Sequence, residues 1–122
     1  VSTTFLPQTT NVPNPAIYVA DIKMNIGQNK QGTKFNGRAW VTILEQGSNL
    51  PVPDAMVEVQ WSDATFDFLI GPTDVDGRVK FVSDRVNGGG TFVIEVLDVV
   101  HSMGYDYAPE LNVMTSNSIT GP

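Results

Sequence analysis

Short stretches of alternating apolar and polar residues run along the 122-residue chain. This period of two indicates β-strands whose opposite faces meet different surroundings. The segment Ile17 to Met24 alternates in this way and predicts a first strand that ends near the sequence GQNKQG. The next segment, Gly37 to Gln46, is apolar on both faces, which predicts a central strand of a sheet.

Four later segments show the same alternation and define the predicted core. Each places two or three large apolar side chains on one face, at every second position. The segment TFDFLIG brings two phenylalanines to one face, and we expect both to pack inward. The residues of these segments that are predicted to face the core are Val57, Val59, Trp61, Phe66, Phe68, Val79, Phe81, Phe92, Ile94 and Val96.

Turns separate these strands at short intervals, because eleven glycines and eight prolines are spread along the chain. We count six strands and expect a seventh between Met103 and Val113. The predicted fold is therefore an all-β, immunoglobulin-like antiparallel β-sandwich of about seven strands, with a small barrel as the alternative. Residues 1–15 and 115–122 are rich in small polar residues and proline, so we expect a linker, a module over 16–114, and a tail or second linker.

The charge of the chain bears on its partners. The net charge is −6, and the seven lysines and arginines are scattered along the sequence. We therefore expect no nucleic acid partner, since a run of phosphates needs a basic stripe. No apolar run reaches the length of a membrane helix, so no membrane partner is expected either. There is no cysteine, which excludes disulfides, thiolate zinc sites and a cysteine nucleophile.

The sequence GPTDVDGRVKF, Gly71 to Phe81, has two structural interpretations, a calcium-binding loop and a turn between strands. A helix-loop-helix calcium loop counted from Asp74 would need an oxygen ligand at the fifth position, glycine at the sixth and glutamate at the twelfth, and the chain has none of these. A strand-connecting turn requires only a local Asp hydrogen bond and a glycine that accepts positive φ at Gly77. We favour the turn and expect no metal, although Asp74 and Asp76 could join Asp54 or Asp98 in a looser calcium site.

Nothing in the sequence indicates catalysis. The single histidine, His101, has no Gly-x-Ser-x-Gly nucleophile motif to work with. Among the acidic residues, Glu58 and Glu95 alternate with predicted core residues, so a solvated sheet face explains them without a glycosidase pair. We expect no enzyme activity and no cofactor.

Aromatic residues offer a better indication of function, because sugars bind proteins by laying their apolar C–H faces on exposed rings. Trp40 lies on a strand whose two faces are both apolar, and we favour a core position for it. Tyr105 and Tyr107 flank Asp106 where a strand leaves for a loop. The candidate ligand-binding residues are Tyr105, Tyr107 and Asp106, with Trp40 and His101 as neighbours.

The segments LPVPDAMVEVQWS, TDVDGRVKF and GGGTFVIEVLDVVHSMGYDY occur in this order after IYVADIKM and RAWVTILEQ. This succession resembles the bacterial immunoglobulin-like modules appended to secreted hydrolases, notably subtilisin-like proteases and polysaccharide-degrading enzymes. The turn skeleton also resembles transthyretin-like and invasin-type sandwiches. The resemblance covers Ile17 to Tyr107. Two cysteines often flank the turn in such modules. The corresponding residues here are Gly71 and Val79, so a disulfide across this turn is absent.

The resemblance implies a noncatalytic accessory module of a larger extracellular bacterial enzyme, secreted or at the cell surface. Its expected partners are a polysaccharide and the catalytic domain of the parent chain, and we expect a monomer. The alternative is a passive spacer or an adhesin-type protein-interaction domain that binds no glycan.

Overall fold

The computed structural model describes residues 14–122 as nine β-strands and one short 3-10 helix. Seven strands have five or more residues, and β6 and β8 have two each. The 3-10 helix spans Pro109–Leu111. The strands are β1 Ala16–Gln28, β2 Lys34–Glu45, β3 Met56–Asp63, β4 Asp67–Pro72, β5 Arg78–Val82, β6 Val86–Asn87, β7 Gly90–Val100, β8 Asp106–Tyr107 and β9 Ser116–Gly121.

The strands form two sheets that face each other. Sheet A has the order β5-β2-β1-β8, with β6 also paired to β2, and sheet B has the order β4-β3-β7-β9. All pairs are antiparallel except β1 with β8. The chain crosses between the sheets after β2, β4, β6, β7 and β8. The predicted all-β, two-layered architecture is confirmed, and β2 lies between β1 and β5 as expected for a central strand.

The core fills the space between the sheets. Trp61 has no exposed surface and lies on β3 among the inward side chains of both sheets. Burial of each large apolar side chain contributes about 1.5–3 kcal/mol to folding. The inward positions predicted for β3, β5 and β7 are confirmed; they are Val57, Val59, Trp61, Val79, Phe81, Phe92, Ile94 and Val96.

A β-bulge at Ala20 switches the inward positions of β1 from odd-numbered to even-numbered residues. The pairing with β2 shifts between Val19 and Asp21, so Ala20 is an extra residue with no partner of its own. Before the bulge the odd-numbered residues point inward, as Val19 does. After it the even-numbered residues do so, beginning with Ile22. The simple alternation predicted for Ile17 to Met24 is therefore interrupted once, and Asp21 and Lys23 face solvent.

The prediction that Phe66 and Phe68 belong to the core is wrong. Their exposed fractions are 70% and 55%. The register explains the difference, because Phe68 pairs with Gln60, and Gln60 must point outward when its neighbour Trp61 points inward. On β4 the half-buried Leu69 packs against the core instead.

The C-terminal segment also differs from expectation. Residues 116–121, predicted as part of a tail, form the edge strand β9 and pair with β7. Ile119 packs against the core, and the Asn117 side-chain amide donates to the carbonyl oxygen of Ile22 at 2.8 Å. Of the linker predicted over 1–15, only Asn14 and Pro15 lie within the described residues. In residues 14–122 no helix has the length and apolar character needed to cross a membrane.

Candidate functional site

The outer face of sheet A presents a grid of side chains from three adjacent strands, which we call the Trp40 face. Pairing of β1 with β2 and of β2 with β5 aligns these side chains in three rows. Adjacent strands lie about 4.8 Å apart, and successive rows about 7 Å apart. The rows are Lys23, Trp40 and Lys80; Asp21, Thr42 and Arg78; and Asn25, Arg38 and Val82.

Trp40 lies at the centre of this grid and does not belong to the core, so the favoured prediction for it is wrong. Its neighbours Ala39 and Val41 are fully buried, and the period of two then directs the half-buried Trp40 outward. The Lys80 ammonium lies over the ring, 5.4 Å from its centroid. A depression of about 470 Å³ opens beside the ring, within the range of about 300–1,000 Å³ usual for small-ligand sites. It is lined by Asp21, Lys23, Met24, Asn25, Trp40, Thr42 and Arg78.

Positive charge is concentrated on the Trp40 face. Four of the seven lysines and arginines of the chain lie there, together with one acidic residue, Asp21. Arg78 forms an ion pair with Asp76, with Nη2 and Oδ2 3.6 Å apart, and both side chains are more than half exposed. Within residues 14–122, Lys23 and Lys80 have no carboxylate oxygen within 4.0 Å. In this part of the chain no ion pair therefore neutralises either ammonium group, and Lys80 contacts the indole ring that it covers.

The Trp40 face has groups suited to binding. An indole ring offers a flat apolar surface for the C–H face of a sugar. The side chains of Asp21, Asn25 and Thr42 supply acceptors and donors for hydroxyl groups, and the lysines supply charge-assisted hydrogen bonds. This combination fits recognition of a polar, ring-containing ligand on an open surface.

The candidate residues predicted around Tyr105 lie elsewhere, at the edge of sheet A where β8 pairs with the start of β1. Tyr107 pairs with Ile17, whereas Trp40 is paired with Lys23, six residues further along β1. At about 3.3 Å per residue the two positions are about 20 Å apart. The structure therefore does not bring Trp40 together with the tyrosines.

His101 and Tyr105 do contact each other, with ring centroids 4.7 Å apart in an edge-to-face arrangement. The His101 ring is held by two hydrogen bonds. The backbone amide of Met103 donates to Nδ1 at 3.0 Å, so Nδ1 carries no proton, and Nε2 donates to the carbonyl oxygen of Pro53 at 2.9 Å. The Nδ1 bond lies within the loop after β7, and the Nε2 bond joins that loop to the one before β3.

The tyrosines of this region pack against the core. The Tyr107 hydroxyl oxygen accepts a hydrogen bond of 2.7 Å from the Asn112 side-chain amide. Partial burial raises the pKa of Tyr107 above its ordinary value of 10.0, the bond from Asn112 opposes this rise, and the charge of Asp98 adds to it. Asp106 accepts a hydrogen bond of 3.2 Å from the Asn14 amide. These contacts tie β8 and the following loop to the start of β1.

The segment from Gly71 to Phe81 forms a turn that carries the chain from β4 in sheet B to β5 in sheet A, as predicted. Oδ1 of Asp74 accepts hydrogen bonds from the backbone amides of Asp76 and Arg78, at 2.9 and 3.1 Å. Gly77 has a φ of 72° and fits closely under Ile43. Among residues 14–122 no three His, Asp or Glu side chains are grouped closely enough to hold a metal ion. Asp74 therefore has a structural use within the turn.

The edge of sheet B exposes an apolar surface that the sequence did not reveal. Phe66 and Phe68 contact each other edge-to-face with centroids 5.9 Å apart, and Ile70 beside them is 63% exposed. We call these three residues the β4 edge. Thr73 donates its backbone amide to Ala55, the residue before β3, and strand alternation then turns the backbone N–H and C=O groups of Phe68 and Ile70 away from β3. In the part of the chain that the structure describes, no strand pairs with these backbone groups, which lie beside the apolar side chains of the β4 edge.

Glu58 and Glu95 both lie on the outer face of sheet B, opposite the side that carries Val59 and Ile94. Their alternation with core residues was predicted from the sequence, and their outward position is confirmed.

Comparison of the chain with protein-family models, with curated proteins and with solved structures found no match.

Proposed function

We propose that this chain contains a noncatalytic, immunoglobulin-like module of a larger extracellular bacterial protein, and that the module binds a polysaccharide through the Trp40 face. The observation that carries the proposal is the half-buried, outward-facing indole of Trp40 in a depression bordered by Asp21, Asn25 and Thr42. A half-exposed tryptophan surrounded by hydrogen-bonding side chains has little to contribute to the core. It offers a sugar both a stacking surface and partners for its hydroxyl groups.

The strand order supports the immunoglobulin-like assignment. In such sandwiches strands A, B and E share one sheet and C, F and G the other, with C′ added to the second sheet in variable-type domains. Naming β1, β2 and β5 as A, B and E, and β4, β3, β7 and β9 as C′, C, F and G, reproduces the observed neighbours. The buried Trp61 on β3 then corresponds to the tryptophan of strand C.

The module would act by proximity and not by chemistry. A weak contact between the Trp40 face and an insoluble glycan, joined by a linker to a catalytic domain, raises the effective concentration of that domain at its substrate to about the millimolar range. The resemblance of Ile17 to Tyr107 to modules of secreted hydrolases supports this setting at or outside the cell surface. A monomer is sufficient for this role.

The test compares retention of the module on a panel of polysaccharides with that of two variants. Trp40→Ala removes the stacking surface, and we expect a Kd at least about tenfold higher, since loss of about 1.4 kcal/mol corresponds to that factor. Phe66→Ala is the matched control, because it removes an exposed ring from sheet B and should bind as the parent does. Equal binding by all three proteins would contradict the proposed site, and no retention on any glycan would contradict the function.

The β4 edge favours a second candidate function, that of an adhesin-type protein-interaction domain. The outward backbone groups of Phe68 and Ile70 fit an extended partner strand with apolar side chains at alternate positions. Peptides selected from a displayed library for binding to the domain should lose affinity for Ile70→Pro, which removes one outward N–H, and keep more of it for Ile70→Thr. Failure to select any extended peptide would count against this function.

A further inference from the structure

We infer that the polysaccharide held on the Trp40 face is acidic and carries carboxylate or sulfate groups. This inference rests on the proposed function, because it names the class of glycan bound at the same face. The chain has a net charge of −6, yet the nine positions of the Trp40 face hold four of its seven cationic residues and one of its thirteen acidic residues. The local charge is therefore opposite in sign to that of the whole chain.

The arrangement of these charges around the ring is specific. Lys23 and Lys80 occupy the same row as Trp40, on the strands at either side of it. Two strand spacings place the Cα atoms of the lysines about 10 Å apart. The Lys80 ammonium covers the ring in the structure, so a sugar that stacks there displaces it and then has an ammonium group on each side. An acidic polysaccharide that crosses the strands along this row would meet a cation, an aromatic ring and a second cation in turn.

No ion pair in the described part of the chain accounts for the two lysines, although Lys80 has a cation–π contact with Trp40. Like charges at neighbouring positions of a sheet face repel each other, and Asp21 is the one acidic residue among the four cations of the Trp40 face. Within residues 14–122 neither Lys23 nor Lys80 has a carboxylate oxygen within 4.0 Å, whereas Arg78 has Asp76 at 3.6 Å. An acidic ligand would relieve this repulsion and form charge-assisted hydrogen bonds to the ammonium groups.

The experiment measures retardation of the domain in native gels that contain a dissolved glycan. Polygalacturonate is compared with its fully methyl-esterified form, in which the carboxylates are neutral, and a sulfated galactan is compared with its desulfated form. The double variant Lys23→Gln and Lys80→Gln removes the two cations beside the ring. The control double variant Lys30→Gln and Lys34→Gln removes the same charge from the β1–β2 turn and the start of β2.

We expect retardation by at least one acidic glycan and little by its neutral form. The Lys23 and Lys80 double variant should bind about tenfold more weakly, as expected for two exposed charge pairs, and the control should bind as the parent does. Equal retardation by acidic and neutral forms would overturn the inference and leave polysaccharide binding standing. No retardation by any glycan would overturn both. Equal retardation by double-stranded DNA would also overturn the inference, because any polyanion would then suffice.

Discussion

Gly77 in the turn between β4 and β5 gives a sharp test of how the two sheets are joined. Its φ is 72°, which is strained for any residue with a Cβ. A Cβ at this position would lie 2.6 Å from the carbonyl oxygen of Ile43 and 3.0 Å from the amide nitrogen of Val52. Both are backbone atoms of the neighbouring strand and loop, so neither can rotate away. Gly77→Ala therefore adds a steric clash to an unfavourable conformation.

The size of the effect follows from these two terms. A left-handed conformation costs an L-residue about 1–2 kcal/mol. Relief of the clash requires Gly77 to move away from Ile43, whose amide donates to the Gly77 carbonyl oxygen at 2.7 Å, and loss of that hydrogen bond costs about 1 kcal/mol. We expect the free energy of unfolding to fall by about 2–3 kcal/mol in all.

Gly88 supplies the matched control. Its φ is 75°, and a Cβ there would meet nothing within 4 Å. Gly88→Ala should therefore show the conformational term alone, about 1–2 kcal/mol, and lose about 1 kcal/mol less than Gly77→Ala. Urea unfolding of the parent and both variants, followed by the fluorescence of the buried Trp61, measures each loss. If the two variants lose the same stability within about 0.5 kcal/mol, the close contact between the turn and β2 is absent and the reasoning fails.

Three further outcomes are expected. Trp61→Ala should lower the free energy of unfolding by about 3–5 kcal/mol and Trp40→Ala by less than about 1 kcal/mol, as measured in urea; equal losses would contradict their opposite faces. Asp74→Ala should lower the unfolding temperature and Asp74→Asn should lower it less, because the amide keeps an oxygen for the turn; identical shifts would argue against this bonding. Burial raises the pKa of Tyr107, so its neutral form stabilises the fold fully below pH 10.0 and this contribution is lost as the pH rises through the raised pKa. The stability difference between the parent and Tyr107→Phe should therefore shrink above that pH, and a constant difference would refute the assignment.

The sequence predicted the inward faces of β3, β5 and β7 because the large apolar residues of each recur at every second position. It could not orient β4, since Phe68 and Leu69 are both apolar and point to opposite faces. Pairing of Phe68 with Gln60 decides between them, and pairing is not visible in the sequence of one strand. Strand β9 was missed for a related reason. Its one inward aliphatic side chain is Ile119, and a single apolar residue cannot define an alternating pattern.

The Trp40 face was beyond prediction for the same physical reason. Lys23, Trp40 and Lys80 are far apart in the sequence and become neighbours only through the registers of β1 and β5 with β2. Cations that are scattered along the chain are thereby gathered on one surface. The tyrosines near β8 were predicted to bind a ligand because they lie where a strand leaves for a loop. In the structure they pack against the core, and Tyr107 accepts a hydrogen bond from Asn112.

The extra residue Ala20 gives β1 one position at which its length can change. Deletion of Ala20 would leave Asp21 directly after Val19, so Ile22 would still point inward and Asp21 and Lys23 would still face solvent. Deletion of one residue elsewhere in the strand, with the bulge kept, would instead exchange the two sides of every residue beyond it. A shorter β1 that keeps the Trp40 face intact is therefore obtained by removing Ala20, and its ladder with β2 would be regular.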